Sequence, residues 1–169
     1  HKFSGVSMEE LLVIEVCAGS ARLTKTCRKL GLRGLAVDKV TERSCGIDIM
    51  VLDLTVASQL QLLLDIIEAE KHRILMIFIA PPCGTASRAR GRPIKSSLLR
   101  GRKAPAPLRS DLQPDGLDNL EGLDKLKTEL ANQLYEGITK LILFAAGLDI
   151  CIVVENPTNS LYWKTSFAQ

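Results

Sequence analysis

Apolar positions along the chain alternate between strand-like runs and helix-like spacing. Leu11 to Val16 is a short apolar run that ends in Cys17-Ala18-Gly19-Ser20, which predicts a strand followed by a tight turn. Ala21, Leu23, Cys27 and Leu30 then fall near helical spacing, with Gly31 in the position of a C-terminal cap. Gly34 to Val37 reads as a second strand closed by Asp38, and Ile47 to Leu54 as a third apolar stretch carrying Asp48 and Asp53. Thr55 is placed to cap a helix running to about Lys71, with Leu60, Leu63, Leu64 and Ile67 turned inward. Ile74 to Ala80 is the strongest strand, apolar on both faces as a strand covered on each side must be. Helical spacing returns from Asn119 to Gly147, with an interruption expected near Gly137. Ile150 to Val154 is a fifth strand, followed by Glu155-Asn156-Pro157 and a last helical start near Leu161.

Strands alternating with helices predict an α/β fold: a Rossmann-like, mostly parallel sheet with helices on both faces and right-handed crossovers. The 169 residues suit one domain, 1–169, interrupted by a loop at about 81–118 that has no sustained period and is rich in Pro, Gly, Ser and Arg. No apolar run approaches the ~20 residues of a membrane-spanning helix, and no secretory signal is visible at the start. Beginning at His1, the chain reads as a mature or excised piece.

Charge sharpens the picture of the loop. The formal net charge is only +3, yet Lys71 through Ser110 holds ten basic residues and no acid, which leaves 12 basic against 19 acidic side chains elsewhere. Such a cationic block on an acidic body suits a polyanion. Within it Ser87, Arg88, Arg90, Arg92, Arg100, Arg102 and Lys103 are the candidate nucleic-acid contacts. The five cysteines are scattered, without a C-x-x-C pair, as in an intracellular protein with free thiols, nuclear or cytoplasmic. With only His1 and His72 present, neither a Cys/His zinc site nor a Ser-His-Asp triad is expected, and His72 reads as a surface residue.

Ligands of parallel α/β sheets bind outside the carboxyl ends of the strands, where strand order reverses, and this chain concentrates its special residues at those ends. The small residues Ala18, Gly19 and Ser20 let a ligand approach backbone N–H groups at the start of a helix. Asp38, 19 residues beyond Gly19, is placed to accept from ribose hydroxyls; Asp53 could receive an adenine amino group or precap the next helix. Pro81-Pro82 fixes the backbone after the fourth strand and projects Cys83, whose arginine-rich surroundings favour a thiolate. Cys17, Cys27 and Cys151 read instead as inert buried thiols. Glu155, desolvated at the rim of a pocket, would keep a proton to donate.

This set resembles DNA cytosine-5 methyltransferases over residues 15–160. Cys17-Ala18-Gly19-Ser20-Ala21 is similar to the family's F-A-G-x-G, Pro81-Pro82-Cys83-Gly84-Thr85-Ala86-Ser87 to P-P-C-Q-x-F-S, and Glu155-Asn156-Pro157 to E-N-V. The resemblance implies S-adenosylmethionine as cofactor, with Gly19 at its methionine end, Asp38 on the ribose, Asp53 at the adenine, and Ala18, Ser20 and Pro82 beside them. It implies Cys83 as the nucleophile on carbon 6 of a flipped cytosine, Glu155 as proton donor at ring nitrogen 3, and methylation of carbon 5 in DNA. It further implies a seven-stranded sheet, of which five strands are legible here, and so a further domain or chain that completes the fold. Two other readings remain open. One is a catalytically inactive module of this fold that binds DNA or RNA through the basic loop; the other is an amino-methyltransferase gripping an exocyclic amine.

Overall fold

A computed structural model describes residues 3–41, 46–92 and 105–169. Arg100, Arg102, Lys103 and Cys45 lie outside the described residues. The fold is α/β, a five-stranded, all-parallel sheet with three α-helices among the described residues, in the manner of an incomplete Rossmann-like fold. The strands are β1 (Leu12–Val16), β2 (Arg33–Asp38), β3 (Ile49–Val51), β4 (Ile74–Ile79) and β5 (Ile152–Val154). The helices are α1 (Arg22–Lys29), α2 (Ala57–Glu70) and α3 (Gly122–Gly147). The chain divides into two compact units: 1–81 with 136–155, and 82–135 with 156–169.

In the first unit the order is β3-β2-β1-β4-β5. The chain moves outward from β1 to β3, then returns to lay β4 on the other side of β1, so strand order reverses between β1 and β4. β1 sits at the centre and every one of its five residues is buried. Ile14, Ile74, Ile77 and Ile79 are fully enclosed, each worth about 1.5–3 kcal/mol of burial. That explains why the all-apolar runs were legible as strands.

Two helix details differ from expectation. Thr55 does not cap α2: its hydroxyl and its N–H both donate to Asp53 Oδ1 (2.7 and 3.0 Å), and the helix starts from Val56, whose carbonyl accepts from Gln59 and Leu60. Nor is α3 broken at Gly137. The helix runs through, and Gly137 is needed because a methyl there would collide with the Leu54 carbonyl oxygen. The glycine permits close packing of helix on chain and is no interruption.

The second unit has little regular structure beyond the first half of α3 and two 3₁₀ turns, Arg88–Gly91 and Leu161–Lys164. It is nonetheless packed. Tyr135, Leu108, Ala86, Leu161 and Tyr162 are buried, and Tyr135 meets Tyr162 edge-on at 4.9 Å. The 105–118 stretch, expected to be part of an open basic loop, folds back through Leu117 N–H to the Leu108 carbonyl (3.0 Å) and Asn132 Nδ2 to the Asp115 carbonyl (2.7 Å). The leucine face of α3 is split: Leu141 is enclosed, whereas Leu123, Leu126 and Leu130 are exposed.

Candidate functional site

The first unit presents its ligand-type residues at the carboxyl end of β1, at the reversal of strand order. The Cys17–Ala21 turn is wound tightly: Cys17, Gly19 and Ala21 all adopt left-handed conformations, with φ of 56°, 53° and 53°. For Cys17 and Ala21 this costs about 1–2 kcal/mol each, so the surroundings must hold the turn. Two carboxylates do so. Glu15, buried within β1, accepts from Thr24 N–H and Thr24 Oγ1 (both 2.7 Å) and from Leu23 N–H (3.4 Å), capping α1 from below. Asp38 Oδ2 accepts from Gly19 N–H (2.8 Å), and its Oδ1 from Val40 N–H (3.2 Å). Gly19 and Asp38 are thus brought together.

A carboxylate has about four acceptor positions, so among the described residues Asp38 keeps two while it holds the turn. Ser20 makes no hydrogen bond among the described residues, and the space above Gly19 is open. Ala18 is buried against Ala21 and Ala36. Asp53 is more fully engaged: Lys39 Nζ (2.6 Å) occupies Oδ2 and Thr55 occupies Oδ1 twice, leaving one acceptor among the described residues. Burial raises the Asp53 carboxyl, but the bonds from Lys39 and Thr55 outweigh it and hold the group below its ordinary value. Burial, with the Asp38 charge second, pushes the Cys17 thiol up to about 12.

Glu155 follows β5, with its N–H donating to the Ile79 carbonyl (2.8 Å). Its side chain is exposed, which corrects the expectation of a desolvated carboxyl. Cys151 is likewise exposed rather than enclosed, because it stands just before the edge strand β5. His72 is exposed.

In the second unit, the exposed Pro82 accepts from the Tyr135 hydroxyl through its carbonyl (2.9 Å), which fixes the turn. Cys83 follows half-buried, and its carbonyl accepts from Ala86 N–H (3.0 Å). No described residue hydrogen-bonds its sulfur, and the cationic surroundings expected for it are directed elsewhere. Arg88 forms a bidentate pair with Asp111 and donates from Nε to the Asn159 carbonyl (3.0 Å). Arg90 donates to the Ala106 carbonyl (3.0 Å) and lies 4.0 Å from Asp124. Ser87 accepts from Ala89 N–H (3.2 Å), opening the 3₁₀ turn. Arg92 is exposed; its N–H donates to the Ala89 carbonyl (3.2 Å), and its guanidinium has no partner among the described residues.

The residue that sequence reasoning passed over is Arg109, only 2% exposed. Its Nε and Nη2 donate to Thr85 Oγ1 (3.3 and 3.1 Å), its Nη1 to the Pro114 carbonyl (2.8 Å), and the guanidinium lies 5.4 Å from the centre of the Tyr135 ring. It forms no salt bridge among the described residues. Burial lowers its guanidinium pKa, opposed by Tyr135 and Asp115, yet an arginine stays a cation. Glu15 was also passed over; its signal was an acid inside an otherwise apolar strand directly before a helix. Arg109 offered no such signal, being one of ten basic residues in an aperiodic segment.

No family model, no curated protein and no solved structure matches the chain. No helix among the described residues is long and apolar enough to cross a membrane.

Proposed function

We propose that the chain is a methyltransferase-like domain that binds S-adenosylmethionine and acts on cytosine in nucleic acid, DNA before RNA, with Cys83 as nucleophile. The observation that carries this reading is the turn after β1. At the reversal of strand order, an open glycine turn is latched to an aspartate at the end of the neighbouring strand, and that aspartate keeps acceptor positions free. Bound there, S-adenosylmethionine would supply an electrophilic methyl group.

The chain's own residues have distinct duties in this reading. Ala18, Gly19 and Ser20 leave room and an amide donor for the cofactor's amino-acid end, and Asp38 accepts from the ribose hydroxyls. Cys83 adds its sulfur to carbon 6 of the base, and carbon 5 becomes nucleophilic. Glu155 donates a proton to ring nitrogen 3 as the sulfur adds to carbon 6, and takes it back when the sulfur leaves. Water takes the carbon 5 proton as the thiolate leaves carbon 6, which restores the aromatic ring and the enzyme.

Methyl transfer tests the reading. With tritiated S-adenosylmethionine and cytosine-containing DNA and RNA, label should reach carbon 5 and vanish in Cys83→Ala. Label on an exocyclic amine that survives Cys83→Ala would instead favour the amine reading. Salt-steep nucleic-acid binding without cofactor binding would favour the inactive module.

A further inference from the structure

The second unit contains a pocket of about 330 Å³ lined by Thr85, Ser87, Arg88 and Arg92 on one side, residues 107–111 on the other and Leu161 beside them, near the lower end of the range for small-ligand sites. Its wall is unusual in that nearly every polar group on it donates. Thr85 Oγ1 already accepts twice from Arg109, Ser87 Oγ accepts from Ala89 N–H, and Ser110 Oγ accepts from Gln113 N–H (3.0 Å). Thr85 has both lone pairs filled by the protein's own N–H groups and Ser87 and Ser110 one each, and each of the three hydroxyls keeps its hydrogen to give. No described acceptor takes any of the three.

The charges agree. Among the described residues Arg109 is a buried cation without a carboxylate at ion-pair distance, and three of its five N–H groups are used, leaving two. Arg92 is exposed and unpaired among the described residues. Asp111 is the one acid on the wall, and Arg88 and Lys164 both bind it. That trio carries one net positive charge, so the region presents three. A buried charge without its counter-ion is costly, and a pocket of donors beside it is where an anion would repay that cost.

We propose that this pocket binds a phosphate ester, with Arg109 and Arg92 supplying charge and the Thr85, Ser87 and Ser110 hydroxyls supplying donors. Thr85 aligns the guanidinium of Arg109 by accepting two of its N–H bonds. The anion site stands independently of methyl transfer. Only the identification of nucleic acid as the phosphate's carrier rests on the function proposed above.

The test uses the whole chain without S-adenosylmethionine. Inorganic phosphate is titrated and followed by phosphorus NMR, and a labelled 12-mer DNA carrying either a 5′-phosphate or a 5′-hydroxyl is followed by anisotropy. Phosphate should bind and compete with the 12-mer. Arg92→Gln and Thr85→Val should each weaken both by about tenfold, while His72→Ala, exposed in the first unit, leaves both unchanged. A several-fold preference for the 5′-phosphate identifies a terminal ester, and equal binding an internal phosphodiester. Arg92→Gln is exposed and keeps the fold, so phosphate binding unaffected by it, or absent from the parent chain, overturns the site. Failure of methyl transfer with phosphate binding intact would overturn only the function proposed above.

Discussion

The two units are held by different means. In the first, enclosed isoleucines and leucines define a parallel sheet, and polar side chains act at the ends of strands: Glu15 beneath α1, Asp38 on the Gly19 turn, Asp53 on the Thr55 turn. In the second, a buried arginine joins the Thr85 hydroxyl, the Pro114 carbonyl and the Tyr135 ring, and that cluster orders segments without regular structure. An apolar sheet tolerates polar groups only where the backbone leaves donors unmet. A loop-built unit must instead satisfy its backbone with side chains, and its fold becomes as specific as its hydrogen bonds.

The largest expected effect would come from the sheet. Ile77→Ala removes a fully enclosed side chain from β4 and should cost about 2–5 kcal/mol, read as a lower denaturant midpoint. Arg109→Met strips the second unit of three charge-assisted donors and should cost about 2–3 kcal/mol. Its signature is local: hydrogen exchange should speed up at 105–121 while β1 and β4 amides keep their protection. Equal loss in the strands would erase the distinction between the units. Gly137→Ala pushes a methyl into the Leu54 carbonyl and should cost about 1–3 kcal/mol, although alanine is ordinarily the better helix former.

The smallest effect concerns Asp111. Hydrogen bonds from Arg88 and Lys164 hold its carboxyl well below the ordinary value. A depressed carboxyl contributes stability above its unfolded pKa, near 3.9, and loses it as pH falls through the lower folded value. Asp111→Asn should therefore differ slightly from the parent chain at pH 5–8, and the difference should shrink only in stronger acid. The group is exposed, so added salt should reduce it too.

Legibility in the sequence followed the same division. The run Ile74–Ile79 and the spacing of Leu60, Leu63 and Ile67 revealed β4 and α2 because burial imposes a period. Gly31 marked the end of α1 and adopts φ +83°. Gly137 was misread because a close approach of helix to carbonyl leaves no trace in neighbouring residues. Arg109 was invisible for a related reason: its partners Thr85 and Tyr135 lie 24 and 26 positions away in the chain. The arginines near Cys83 suggested a cationic setting by proximity in sequence, yet Arg88 and Arg90 turn to Asp111 and the Ala106 carbonyl. Proximity along a loop is no guide to direction.

The central claim is that Cys83 acts as a nucleophile toward cytosine. It is tested most directly by incubating the chain with S-adenosylmethionine and an oligonucleotide containing 5-fluorocytosine, then digesting and mapping by mass spectrometry. The account predicts a covalent nucleotide adduct on the peptide carrying Cys83, absent in Cys83→Ala. A chain that binds both partners yet leaves that peptide unmodified, or carries the adduct on another cysteine, would contradict it.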